Sequence, residues 1–148
     1  MTNKKLSQSA LITLVLASFE AERLHNIEVN QALLHPDFAV TDMVISHDDK
    51  IFPRLAGSEL KNMIHKAFLI EGRQFTFPTV VADEATQTVI IEFIEEYPDS
   101  KTGQVYRTPQ VAICQIKDGK IFRTRHYMDP RLSYKELSME IIQKAIET

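Results

Sequence analysis

The sequence is short of several things, and each shortage removes a class of protein. One cysteine, Cys114, stands alone among 148 residues, so no internal disulfide can form and the chain suits a reducing compartment such as the cytoplasm. Cys114 lies in the apolar stretch "VAICQI", the setting of a buried and inert thiol rather than a reactive one. No run of like charges extends beyond a few residues and the net charge is -3. That balance argues against nucleic acid or an anionic membrane as partner. Glycine and proline number only four and six, too few for a collagen-like or low-complexity chain. No repeat and no linker interrupts the sequence. It has the length for one domain with its own core and not for two, so residues 1–148 are expected to form a single domain.

Long apolar runs are also missing. "MTNKK" followed by "ALITLVLASF" resembles the charged and apolar parts of a signal peptide. The run is about ten residues, too short for a bilayer, and it passes into "EAERLHN" without a small-residue cleavage site. It reads instead as a helix buried on more than one side.

What is present is 44% hydrophobic residues in clear periodicities. Leu11, Leu14, Val15 and Ser18 form a helical stripe within a helix from about Ser7 to His25. A short second helix, "IEVNQALLH", must stop near His35 because Pro36 disfavours helical geometry just before it. "DFAVTDMVIS" alternates like a strand and "HDDK" has turn chemistry. Ser58 is placed to cap a third helix, "ELKNMIHKAFLI", which Gly72 ends. Strands then dominate: "RQFTFPTVVADE", "TQTVIIEFIEEY", "QVYRTPQVAICQIK" and "KIFRTRHYMD", the last two meeting at "KDGK". "SYKELSMEIIQKAIET" is expected to close the chain as an amphipathic helix, with Ser133 and Glu136 as a capping box. Helices segregated from a run of antiparallel strands mean an α+β fold. The expected form is a cone-shaped, strongly curved antiparallel sheet, with helices packed on its inner face and a C-terminal helix. Such a cone is a natural small-molecule site.

Strand alternation places Thr124, His126 and Met128 of "FRTRHYMDP" on one face, and Arg123, Arg125 and Tyr127 on the other. His126 is then either a pocket residue or a sheet histidine satisfied by a neighbouring hydroxyl or water. Asp42 ends "AVTD" as a strand-end carboxylate suited to pairing with an Arg or capping a turn. His47, Asp48 and Asp49 are adjacent, so their side chains diverge and no metal site is expected. The acids of "EFIEEYPD" read as a solvated strand end and loop, and His65 as a packing or surface residue. Met63, Phe68, Phe75, Phe77 and Phe93 read as core or cavity wall.

Four local patterns, "LLHPDFAVTD", "RLAGSELKNMI", "Y…VAICQIKDGKI" and "RTRHYMDP", occur in an order and spacing covering nearly the whole chain. Together they resemble the SnoaL-like polyketide cyclases of the ketosteroid isomerase and nuclear-transport-factor-like superfamily. The resemblance implies a cystatin-like roll with a hydrophobic pocket, and commonly a homodimer through the outer sheet face, where Arg123, Arg125 and Tyr127 fall. By position, Asp42 matches the general-base carboxylate of ketosteroid isomerases. His126 matches a strand position where relatives often carry an acid. Pocket-lining roles are implied for Ser18, Phe68, Phe93, Ala112, Cys114, Thr124 and Met128. Two departures count against steroid isomerisation: Ser18 stands near the oxyanion tyrosine's place, and Ala112 stands where the protonated acid would be. An epoxide hydrolase's carboxylate is likewise replaced by His126. The expectation is cofactor-free acid/base chemistry on a hydrophobic carbonyl compound, with non-catalytic binding or a dimeric interaction role as alternatives.

Overall fold

Helix α1 (Gln8–Arg23) opens the computed structural model, which describes residues 4–148 apart from the side chains of Ser133 and Tyr134. Ser7 caps α1 by accepting from the Ala10 amide, and Leu11 and Val15 are fully buried on its inner side. The apolar run near the N-terminus is therefore core. Among the described residues, no helix is long and apolar enough to cross a membrane.

Helix α2 (Ile27–Leu33), capped by Asn26, stops before Pro36 as expected. Strand β1 (Leu34–Asp42) begins three residues earlier than the alternation suggests and ends before Met43. It carries Pro36 in a stretch where the pairing register shifts between Leu34 and Ala39, so the missing N–H interrupts no regular ladder. The "HDDK" segment is a turn, closed by Ser46 and Lys50, with Asp49 in left-handed geometry. A three-residue strand, β2 (Arg54–Ala56), pairs with β1 before α3 (Gly57–Ala67). The expected Ser58 cap is not there. The cap position is Ala56, without a side-chain bond, and Gly57 takes φ +57 to turn the chain from strand into helix.

Strands β3 (Gln74–Asp83), β4 (Thr88–Pro98), β5 (Val105–Lys117) and β6 (Lys120–Tyr127) form an antiparallel meander. Asp118 and Gly119, both at positive φ, make the two-residue turn joining β5 to β6. The curved open sheet has the order β2-β1-β6-β5-β4-β3. One pair departs from the antiparallel rule: β1 runs parallel to β6.

The core lies between α1 and the sheet, where Leu11 and Val15 meet Val89, Ile91, Phe93, Ala112 and Cys114. Phe19 of α1 makes edge-to-face contacts with Phe75, Phe77 and Phe93, at centroid distances of 5.1, 5.3 and 4.9 Å. After β6 the chain forms a 3-10 turn at Pro130–Tyr134, capped by Asp129. The proposed Ser133 cap lies on a side chain outside those described. Helix α4 (Met139–Glu147) begins later than expected, with Ser138 accepting from the Ile141 amide. It lies on the outer face, where Ile142 and Leu137 share a groove with Thr79, Glu92 and Pro109.

Candidate functional site

Between α1, α2, α3 and the concave face of the sheet lies a cavity of about 360 Å³. Its walls are mostly apolar, with Phe19, Phe38, Phe68, Phe75 and Phe93 among them. Every site residue singled out in the sequence lines it: Ser18, Asp42, Phe68, Phe93, Ala112, Cys114, Thr124, His126 and Met128. Of the five cavity-wall candidates, Phe77 alone is absent from the lining and packs instead against Phe19.

The parallel pairing of β1 and β6 sets Asp42 directly beside His126. His126 Nδ1 stands 3.6 Å from Asp42 Oδ1, and the Met43 amide donates to the His126 carbonyl at 2.7 Å, fixing the strand ends together. On the other side, His126 pairs with Ala112, whose methyl group leaves the imidazole room. The Phe93 ring meets it edge-on at 6.3 Å. Burial pushes the imidazole below its ordinary pKa, against the opposing pull of Asp42 and Glu95. The side chains of His126 and Asp42 keep 28% and 31% exposure, enough for a ligand in the cavity to reach them.

Other positions are more passive. Ser18 Oγ is committed to the Val15 carbonyl at 2.7 Å, and Asn30 ties α2 to the Ser18 carbonyl at 3.2 Å. Cys114 is buried beside Thr124, and burial pushes its thiol up to about 11, so it is no nucleophile at neutral pH.

A second polar group on the wall was not singled out in the sequence. Arg73, just before β3, donates from Nε to Glu95 Oε1 at 2.8 Å and from Nη1 to Glu22 of α1. Gln110 Nε2 donates to Glu95 Oε2 at 2.9 Å. Glu95 therefore turns inward, correcting the reading of the "EFIEEYPD" acids as uniformly solvated. Burial raises the Glu22 carboxyl above its ordinary pKa despite Arg73. Burial also opposes the charge on Arg73, but the two carboxylates outweigh it and its pKa rises. Next to Glu95 across the strand, Thr108 is 2% exposed, and its Oγ1 has no hydrogen-bond partner among the described residues. Two signals for this cluster exist in the sequence. Glu95 shares a face with Phe93 by strand alternation, and Glu22 extends the Leu11, Val15, Ser18 stripe.

Among the described residues no group of three or more His, Cys, Asp or Glu has the arrangement of a metal site. No protein-family profile matches the chain. A 56-residue segment is 38% identical to the uncharacterized Bacillus subtilis (strain 168) protein YesE, covering 38% of each protein. The solved structures give broader likenesses. An LEH-like epoxide hydrolase of M. tuberculosis matches with a TM-score of 0.70 at 16% identity, over 95% of this chain and 98% of that one. An NTF2-like protein of Burkholderia xenovorans LB400 matches with a TM-score of 0.67 at 15% identity, over 89% of this chain and 98% of that one. AusH of Aspergillus nidulans gives 0.70 at 17% identity, over 84% and 86%. The fold is therefore the one these epoxide hydrolase-like and NTF2-like structures share, and the resemblance read from the four sequence patterns holds at the level of fold. One fold of this kind hosts many activities, so the function must be argued from the cavity itself.

Proposed function

We propose that this chain is a small-molecule enzyme doing cofactor-free acid/base chemistry on a hydrophobic carbonyl compound. His126 is the base and Asp42 its orienting partner. The reading rests on one observation: an imidazole and a carboxylate in register, both opening onto a mostly apolar cavity. With Nδ1 turned to Asp42, Nε2 of the neutral ring is left for the cavity. Nε2 takes a proton from the carbon next to the carbonyl, and the C–H electron pair moves toward the carbonyl oxygen as an enolate. Asp42 stabilises the imidazolium until the proton returns to carbon or oxygen. A pKa held below the ordinary histidine value keeps the base unprotonated at neutral pH. In this proposal, Ser18, Phe68, Phe93, Ala112, Cys114, Thr124 and Met128 shape the binding surface. Residues 1–148 act as one SnoaL-like domain, in the cytoplasm, without nucleic-acid or membrane partners.

The proposal includes a homodimer. Val81, Ile90 and Tyr127 on the outer sheet face are 53%, 44% and 40% exposed, and the row Val81–Ile90–Ile113 is contiguous across three strands. A second copy would cover that apolar surface. Light scattering should report a dimer, and a monomer would remove this part of the reading.

Native mass spectrometry of purified protein tests the pocket. A small molecule should co-purify, or be taken up from a panel of ketones and aromatic polyketides, and His126→Phe should exclude it by filling the cavity. Uptake unchanged in His126→Phe would contradict the proposed site. Uptake without any chemistry would leave a binding protein of the same fold.

A further inference from the structure

Three carboxylates line the cavity (Glu22, Asp42 and Glu95) against a single guanidinium, Arg73. Arg73 is shared between Glu22 and Glu95, so one guanidinium serves two anions. Asp42 faces an imidazole that burial keeps toward its neutral form. Side-chain exposures of 11%, 23% and 13% for Arg73, Glu22 and Glu95 leave little water to absorb the surplus. Buried charge without a partner is costly, and a ligand can supply the partner.

A second, independent observation points to the same end of the cavity. Thr108 lies beside Glu95 in the β4–β5 ladder, and its buried hydroxyl oxygen has no partner among the described residues. Such an oxygen loses a hydrogen bond on folding, and a ligand group at this stretch of the cavity wall can restore it. Glu95 already accepts from Arg73 and Gln110, and Glu22 Oε1 from Arg73, which leaves Glu22 Oε2 and Thr108 Oγ1 without a donor among the described residues. Phe19, Phe75 and Phe93 supply ring surface around them, and the Arg73 guanidinium already lies over Phe75 at 5.2 Å. Carboxyl groups in excess of cationic side chains, open acceptors and aromatic walls are the chemistry that recognises an organic cation.

We propose that the Glu22–Glu95–Thr108 end of the cavity takes the ammonium group of an amphipathic amine, whose apolar body lies along the aromatic wall toward His126 and Asp42. This deepens the reading of the cone as a ligand pocket and rests on it: the substrate is a hydrophobic carbonyl compound that also carries a basic nitrogen.

The test is isothermal titration at pH 7 with four probes of similar size: phenethylamine, 2-phenylethanol, phenylacetate and acetophenone. The amine should bind about tenfold to a hundredfold tighter than the alcohol, the range of a charged hydrogen bond. Phenylacetate should bind weakest. Glu22→Gln should erase most of the preference for the amine. Thr108→Val keeps the shape and removes the orphaned hydroxyl, so it should weaken amine binding while leaving the thermal midpoint unchanged or higher. Alcohol or carboxylate binding as tight as the amine would overturn the inference, as would a preference unchanged in both variants. If acetophenone binds while the amine gains nothing, the inference falls and the carbonyl pocket stands. If none of the four binds, both fall.

Discussion

His126 and Asp42 belong to strands that run parallel, and each is the other's direct partner across the β1–β6 ladder, with Nδ1 and Oδ1 3.6 Å apart. The separation is slightly beyond a hydrogen bond, yet close enough for the Asp42 carboxylate to favour the protonated ring against burial. Parallel pairing matters here because it brings the ends of β1 and β6 to the same end of the cavity.

Burial lowers the His126 pKa below its ordinary value of 6.5. As pH falls through about 6.5 the unfolded chain binds a proton that the folded chain does not, so stability declines with falling pH. The decline ends once the lower folded-state pKa is passed. Urea unfolding of the wild type between pH 8 and 5 should show it, and His126→Gln should flatten that part of the profile. An unchanged slope in the variant would place the titration elsewhere.

Glu22 has the opposite sign. Its folded-state pKa is raised above 4.5 by burial, so its relative stabilisation is complete below 4.5 and is lost as pH rises through the folded value. Glu22→Gln cannot ionise and should gain stability relative to the wild type as pH is raised from 4 to 8. A difference that is flat with pH would show that Arg73 compensates Glu22 fully.

Cys114 should be inert in the native protein. With its thiol raised to about 11 and its side chain buried under Thr124, it should react with a disulfide reagent only at the rate of unfolding. Rapid labelling in buffer, as fast as in denaturant, would contradict this burial.

Two core and cap substitutions separate the fold's parts. Leu11→Ala, at a position with no exposure, should cost about 2–5 kcal/mol in chemical denaturation. Ser138→Ala should cost about 1 kcal/mol through the start of α4 and leave ligand binding unaltered, because α4 lies on the outer face.

Much of the fold was legible because it is local. Alternation marked the strands of the meander, "KDGK" marked a turn that Asp118 and Gly119 make, and Pro36 marked the end of α2. What escaped was pairing at a distance and elements too short to carry a period. β2 has three residues, and no local pattern says that β1 will lie parallel to β6. The Ser133–Glu136 spacing resembles a capping box, yet Pro130 starts a 3-10 turn there and the helix waits for Ser138.

The site divides in the same way. His126 emerged from alternation and from resemblance, and Asp42 from resemblance alone. Glu22, Arg73 and Glu95 did not, because Arg73 meets partners 51 and 22 positions away. A charged residue in a sequence reads as solvated until the fold shows what surrounds it. The face of each was nonetheless readable from its neighbours, Phe93 for Glu95 and Ser18 for Glu22.

The central claim, that His126 with Asp42 abstracts a proton beside a carbonyl, is tested most directly by deuterium exchange. Ketones that the protein binds are incubated with it in D2O and followed by proton NMR. The account predicts loss of the α-proton signal with the wild type and at least about a hundredfold slower exchange with His126→Gln, the usual scale of a general base. Exchange at the wild-type rate in His126→Gln, or none from any bound ketone, would contradict it.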